Sequence, residues 1–172
     1  MKRQQKLKGL LLAILSITLL ITSCTKDESQ VELEEQTLEV MPNAKLSNEE
    51  IQVIHEIYYQ VNDHRQSIGL QPLIWSNAAY TESWNHTQYM IQEGSISHDG
   101  FSQRYQNLVY SANARSMSEN VASHYRSASS VVEGWLNSSG HRDNIEGDYT
   151  HTGIAAIKDS EGNFYYTQIF YR

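Results

Sequence analysis

Apolar residues recur at helical spacing between residues 47 and 69. Ser47 has a side chain suited to cap a helix, and Glu50, three residues later, completes a capping box. Gly69 stands where a helix ends. The apolar stripe between these signals consists of Ile51, Ile54, Tyr58, Val61 and Ile68. The pattern predicts a first amphipathic helix.

In three further segments, apolar residues recur at the same helical spacing. One begins at a potential cap, Ser76, and runs to about residue 93, where Gly94 follows. A short helix is predicted near 101–108, and another over about 129–137. The first two thirds of the folded region is therefore predicted to be mainly helical.

The C-terminal part of the chain changes to strand patterning. Segments 152–158 and 164–171 predict two strands joined by the turn-forming residues 159–163, and 118–123 is a third candidate. Neither face of 164–171 carries a charge, which favours a strand covered on both sides. These elements predict an α+β fold: a three-layer α-β-α sandwich with a small, mainly antiparallel central sheet.

The N-terminus differs from the rest of the chain. Four Lys and Arg residues precede an apolar run over 9–21, which is too short to span a bilayer but fits a secretory signal. The segment Leu20–Cys24 resembles the lipobox of bacterial lipoproteins, which implies lipid attachment at Cys24. We therefore expect a lipoprotein signal peptide over 1–23, the acylated Cys24 with an acidic tether over 24–46, and a folded domain over 47–172.

Composition excludes several classes of protein. The single cysteine leaves no internal disulfide framework and no zinc cluster of cysteines. The net charge is −7, and loss of residues 1–23 would remove four of the 13 Lys and Arg and none of the 20 Asp and Glu, giving −11. We expect no nucleic-acid partner, because phosphate binding needs a basic face.

Polar residues that can carry chemistry lie in loops or at the ends of elements. His98 follows the second predicted helix, Glu119 begins the strand candidate in the middle of the chain, and His141 follows the fourth helix. For a single histidine, the more common role is to satisfy a backbone group near a turn, and these motifs by themselves do not show that His98 and His141 meet. The remaining histidines are interpreted as structural, with His86 expected at the surface or boundary of its helix.

Residues 55–172 resemble the CAP domain family (cysteine-rich secretory, antigen 5 and pathogenesis-related proteins), in particular its disulfide-free bacterial branch. Five fragments in the family's order carry the resemblance. They are Asn-x-x-Arg-x-x-x-Gly-Leu-x-Pro-Leu-x-Trp at 62–75, Ser-His-Asp-Gly-Phe-x-x-Arg at 97–104, Ser-Glu-Asn-Val-Ala at 118–122, Val-x-x-Trp-x-x-Ser-x-Gly-His-Arg-x-Asn-Ile at 132–145, and Thr-Gly-Ile-Ala at 152–155 with Tyr-Thr-Gln-x-Phe at 166–170. The resemblance implies the same α-β-α sandwich.

The resemblance also implies a cleft lined by two histidines and two acids. His98, Glu119 and His141 match three of these positions. Ser138 stands where the family's second Glu is expected, and Glu133, five positions earlier, points to another side of a helix. The three matched residues are the candidate catalytic or binding set.

Two imidazoles and a carboxylate are compatible with two kinds of chemistry. His98 and His141 are candidate ligands for Zn²⁺ or another divalent metal, with Glu119 as a third ligand in an open site or as a group that orients a ring. Without metal, the same groups can act as general bases. No cofactor is required by the sequence.

Three functions remain open. The chain is expected to be a bacterial envelope lipoprotein, held at the membrane by its lipid anchor and exposed outside the cytoplasm. Its domain is interpreted first as a binding module for a lipid, glycan or protein, then as a structural scaffold, and third as a metal-assisted hydrolase of peptides or envelope polymers. The absent second acid argues against an enzyme.

Overall fold

A computed structural model describes residues 46–172. The predicted signal peptide, Cys24 and all but the last residue of the predicted tether lie outside the described residues. The elements in chain order are α1 (Asn48–Ser67), β1 (Ile74–Trp75), α2 (Asn77–Glu93), α3 (Phe101–Ala112), β2 (Met117–Ser123), α4 (Ala128–Asn137), α5 (Ser139–Ile145), β3 (His151–Lys158) and β4 (Phe164–Tyr171).

The four strands form one sheet in the order β1-β3-β4-β2. β3 and β4 pair antiparallel, as do β2 and β4, while β1 pairs parallel to β3. The predicted mainly antiparallel sheet is confirmed. β2 forms an edge, which leaves the residues at its start accessible to the neighbouring loops and to α5.

Helices cover both faces of the sheet. Side chains of α1, α4 and α5 pack with one face, to which Ile154 and Tyr166 contribute. Residues of α2 and α3 pack mainly on the other face, where Ile169 and Tyr165 point. All eight residues of β4 are buried. The three-layer α-β-α sandwich predicted from the sequence is confirmed.

Small residues on β3 allow α2 to lie close to the sheet. A Cβ added to Gly153 on β3 would stand 2.1 Å from the backbone nitrogen of Tyr80 on α2. The hydroxyl of Ser83 donates to the carbonyl of Gly153 at 2.9 Å. The small residues of β3 therefore bring α2 into contact with the sheet backbone.

The predicted helix boundaries have the expected chemistry. The Ser47 hydroxyl accepts from the Glu50 amide at 3.2 Å, and the Glu50 carboxylate accepts from the Ser47 amide at 2.7 Å. The second carboxylate oxygen of Glu50 accepts from the Lys158 amide at 3.0 Å, which attaches the start of α1 to β3. Gly69 and Gly94 adopt positive φ beyond α1 and α2.

Two elements were absent from the sequence-based prediction. β1 has only two residues, and α5 occupies a segment interpreted as a loop. The N-cap of α5, Ser138, makes no side-chain capping bond, so no local signal marks this helix. His141 therefore lies within a helix, which corrects its placement in a loop. No helix among residues 46–172 is both long enough and apolar enough to cross a membrane.

Candidate functional site

A buried ion pair lies at the start of β2. Arg104 on α3 donates from Nε to Oε2 of Glu119 and from Nη2 to Oε1, both at 2.7 Å. The Glu119 side chain is fully buried, and Arg104 is nearly so. A bidentate guanidinium–carboxylate contact fixes both the position and the orientation of the Glu119 carboxylate. Arg104 also donates from Nη1 to the carbonyl of Asp99 at 2.6 Å, which holds the turn before α3.

His98 extends from this turn towards the same carboxylate. Its Nδ1 lies 2.8 Å from Oε1 of Glu119, while 54% of its side chain remains exposed. An ionised carboxylate only accepts hydrogen bonds, so Nδ1 must carry the proton in this contact. Whenever the ring is neutral, this tautomer leaves the lone pair on Nε2. Glu119 thus sets the tautomer of an exposed imidazole.

His86 is a component that the sequence reasoning missed. It was expected at a surface or boundary position, but it is buried on α2, with Nε2 2.7 Å from the carbonyl of Ser97 and 3.7 Å from Oε1 of Glu119. Burial lowers its pKa, and the charge of Glu119 only partly opposes that effect. The signal was available: His86 lies three residues after Ser83 and four before Met90, both buried on the same face.

His141 reaches the site from α5. Asn120 on β2 donates to the His141 carbonyl at 3.1 Å, and Asn144 donates to the Glu119 carbonyl at 3.2 Å. These two amides attach α5 to the strand that carries Glu119. Burial lowers the pKa of His141, and the nearby charge of His98 lowers it further. Its Nδ1 is buried without a hydrogen-bond partner.

The structure therefore brings His98, Glu119 and His141 to the start of β2. Ser138, which replaces the family's second acid, lies at the junction of α4 and α5. Glu133 lines a separate groove of about 570 Å³ between α1 and α4, together with Gln60 and Asp63. The site accordingly has the imidazoles of His98 and His141, the buried imidazole of His86, and one carboxylate that is paired with Arg104.

The donor set does not fit a three-ligand zinc centre. Within residues 46–172, no three His, Cys, Asp or Glu side chains are arranged to hold a metal ion. Both oxygens of Glu119 already accept hydrogen bonds from Arg104 and His98, so the carboxylate is not a third ligand. Metal binding by His98 and His141 stays a prediction, tested by zinc titration of the wild type and of His98→Ala/His141→Ala.

The comparisons with known proteins agree with this fold. The model of the cysteine-rich secretory protein (CAP) family matches residues 58–170. The uncharacterized membrane protein YlbC of Bacillus subtilis strain 168 is 32% identical over 108 residues, which is 59% of this chain and 29% of that protein. The chain thus spans less than a third of the length of this relative.

Solved structures show the same architecture. An outer surface protein of Borrelia burgdorferi superposes with a TM-score of 0.66 at 19% identity, over 75% of this chain and 97% of the other. An extracellular protein of Bacillus anthracis that contains an SCP domain superposes with a TM-score of 0.64 at 24% identity, over 76% of this chain and 45% of the other. At these identities the likeness shows the fold.

Proposed function

The chain belongs to the cysteine-rich secretory protein (CAP) family, and from that premise we propose that it is a binding module anchored at the bacterial cell envelope. It recognises an extracytoplasmic lipid, glycan or protein through the cleft of His98, Glu119 and His141. The names of its relatives, an outer surface protein, an extracellular protein and a membrane protein, support that location. Lipid attachment at Cys24 would supply the anchor.

The state of Glu119 is the observation that carries this proposal. A carboxylate that accepts two bonds from Arg104 and one from His98, with no exposure, is held as a neutralised anion. Such a group orients its neighbours and has no free lone pair directed at a ligand. The groups that remain for a ligand are the exposed His98 ring and the partly buried His141 ring, which offer hydrogen bonds and suit recognition.

A hydrolase is the second candidate, because one contact favours it. A carboxylate that holds Nδ1 of a histidine leaves Nε2 as a general base for a water molecule. The cleft lacks the second acid that would protonate a leaving group, since Ser138 replaces it. This candidate therefore depends on the imidazoles of His98 and His141 for proton transfer.

Sedimentation with purified bacterial envelopes tests the binding proposal. The Cys24→Ala chain is used, so that a lipid anchor does not contribute, and it is compared with Cys24→Ala/His98→Ala/His141→Ala. We expect the first protein to sediment with envelopes and the second to remain in the supernatant. Equal sedimentation of both, with unchanged melting temperatures, would contradict recognition through the cleft.

The same experiment separates the alternatives. A hydrolase would release soluble fragments from the envelopes, and Glu119→Gln would abolish that release. A structural scaffold would show neither cleft-dependent sedimentation nor fragment release. The anchor has its own test: we expect the wild-type chain in the membrane fraction and Cys24→Ala outside it when both are made in bacteria with the secretory signal intact.

A further inference from the structure

A second pocket lies between α2 and α3. Its volume is about 390 Å³, within the range of ~300–1,000 Å³ typical of small-molecule sites. One face of each helix lines it. The side chains that matter here are Glu82, Asn85 and Tyr89 from α2, Asp99 from the intervening turn, and Gln103 and Asn107 from α3.

Hydrogen bonds between the two sides hold the pocket open in a defined shape. The Asn107 amide donates to both carboxylate oxygens of Glu82 at 3.1 Å. The Tyr89 hydroxyl donates to Oδ2 of Asp99, also at 3.1 Å. Arg104, buried and bound to Glu119, forms part of the lining. A pocket fixed in this way loses little entropy when a ligand binds.

Tyr89 presents a rigid aromatic ring to this pocket. It stacks on the buried His86, with ring centroids 5.9 Å apart and an interplanar angle of 15°, and 37% of the residue is exposed. The stack and the bond to Asp99 together fix the ring. One side of the ring is therefore supported by protein while the residue remains accessible to a ligand.

The polar groups of the pocket are mainly hydrogen-bond acceptors and amides. Within the described part of the chain, neither Glu82 nor Asp99 pairs with a Lys or Arg side chain; their partners are the Asn107 amide and the Tyr89 hydroxyl. Two carboxylates disfavour an anionic ligand, and the combination of carboxylates and amides with apolar surface in the lining favours a ligand that has both polar groups and an apolar face.

We propose that this pocket binds a saccharide ring. Sugar hydroxyls donate to carboxylates and accept from amides, and the apolar C–H face of the ring packs on an aromatic side chain. Planar amide and carboxylate groups beside one fixed tyrosine provide both kinds of contact. The pocket borders the cleft, because Arg104 and His86, which adjoin Glu119, form part of its wall. Neither His98 nor His141 lines it, so the inference does not depend on the function proposed for those two rings.

Saturation-transfer NMR of the full chain with N,N′,N″-triacetylchitotriose and with maltotriose tests the proposal. We expect saturable binding of at least one of the two sugars. Tyr89→Ala should weaken that binding about tenfold, which corresponds to ~1.4 kcal/mol. Tyr89→Phe keeps the ring and should retain most of the affinity. Tyr110→Ala is the matched control, because Tyr110 lies on α3 outside this pocket and is 88% exposed.

Several outcomes would overturn the inference. The first is that neither sugar binds saturably to the wild type. The second is that Tyr110→Ala loses as much sugar affinity as Tyr89→Ala. The third is that spermidine displaces the sugar, which would identify the pocket as a site for a cationic ligand. Circular dichroism and melting curves show whether Tyr89→Ala is folded. Sugar binding that persists in His98→Ala/His141→Ala separates this pocket from the cleft, and loss in that variant would assign the sugar to the cleft instead.

Discussion

The stability of the site depends on both partners of the Arg104–Glu119 pair. Removing one partner leaves a buried charge without compensation, which typically costs about 3–5 kcal/mol. We expect Arg104→Leu to lower the free energy of unfolding by roughly that amount. Urea denaturation measures the change.

Two variants make this prediction specific. Arg104→Leu/Glu119→Leu should recover part of the loss, because replacing a buried pair by apolar residues often costs little. Arg115→Leu, at an exposed arginine after α3, should shift stability by no more than about 0.5 kcal/mol. Equal effects of Arg104→Leu and Arg115→Leu would contradict a structural role for the pair.

Buried His86 makes stability depend on pH. Burial lowers its pKa below the ordinary 6.5, while Glu119 opposes and Arg104 and His98 reinforce the shift. As the pH falls below 6.5, the unfolded chain takes up a proton that the folded state resists. The free energy of unfolding should therefore be highest above that pH and decrease towards acid.

Urea denaturation between about pH 8 and pH 5 checks this direction. His86→Gln can keep a donor to the Ser97 carbonyl but does not titrate, so its curve should be flatter than that of the wild type. His141 and His151, whose pKa values burial also lowers, should leave a residual slope. Parallel curves for the two proteins would refute the assignment to His86.

At the scale of elements, the contact between α2 and β3 depends on Gly153. An added methyl group would meet the backbone of Ala79 and Tyr80 at 2.1–2.7 Å, and backbone atoms cannot move aside without moving the helix. We expect Gly153→Ala to cost at least the ~1–3 kcal/mol of an overpacked core.

Gly140→Ala is the control for this substitution. Nothing lies within 4 Å of a Cβ at Gly140, which sits in α5. Alanine should be neutral there or should stabilise by up to about 1 kcal/mol through helix propensity. Melting temperatures of the two variants measured side by side test the pair. A Gly153→Ala protein as stable as the wild type would show that α2 is not held against β3.

At the scale of the whole molecule, Arg65 joins segments far apart in the chain. From α1 it donates to the carbonyl of Gln71 at 2.9 Å, and across the fold to those of Ile145 at 2.6 Å, Gly147 at 3.0 Å and Tyr149 at 3.3 Å. Nearby, the Asn62 amide exchanges hydrogen bonds with the Leu73 backbone. These contacts explain how the two-residue strand β1 aligns with β3.

Arg65→Lys should loosen that alignment, because a single ammonium group cannot reach four carbonyls in a fixed geometry. We expect faster hydrogen exchange at the amides of Ile74 and Ser76, which donate to Thr150 and Thr152. The amide of His124, which donates to Phe164 at the opposite edge, is the internal reference. Unchanged exchange at Ile74 and Ser76 would contradict this role of Arg65.

Local signals predicted most of the elements correctly. Ser47 with Glu50 marked the start of α1, Ser76 and Gly94 bounded α2, and the uncharged faces of 164–171 indicated a strand covered by helices. β1 and α5 were not predicted because side chains on other elements stabilise them. β1 relies on Asn62 and Arg65, and α5 relies on the amides of Asn120 and Asn144.

The amino-acid sequence by itself determined the layers of the fold and the motifs that carry His98, Glu119 and His141, because caps, periodicity and short motifs act over a few neighbouring residues. Only the tertiary structure decided that Arg104 neutralises Glu119, that His86 is buried beside it, and that Tyr89 stands fixed over a second pocket. These relations join atoms from different elements. They depend on how α2, α3 and β2 pack, and spacing along the chain does not specify that packing.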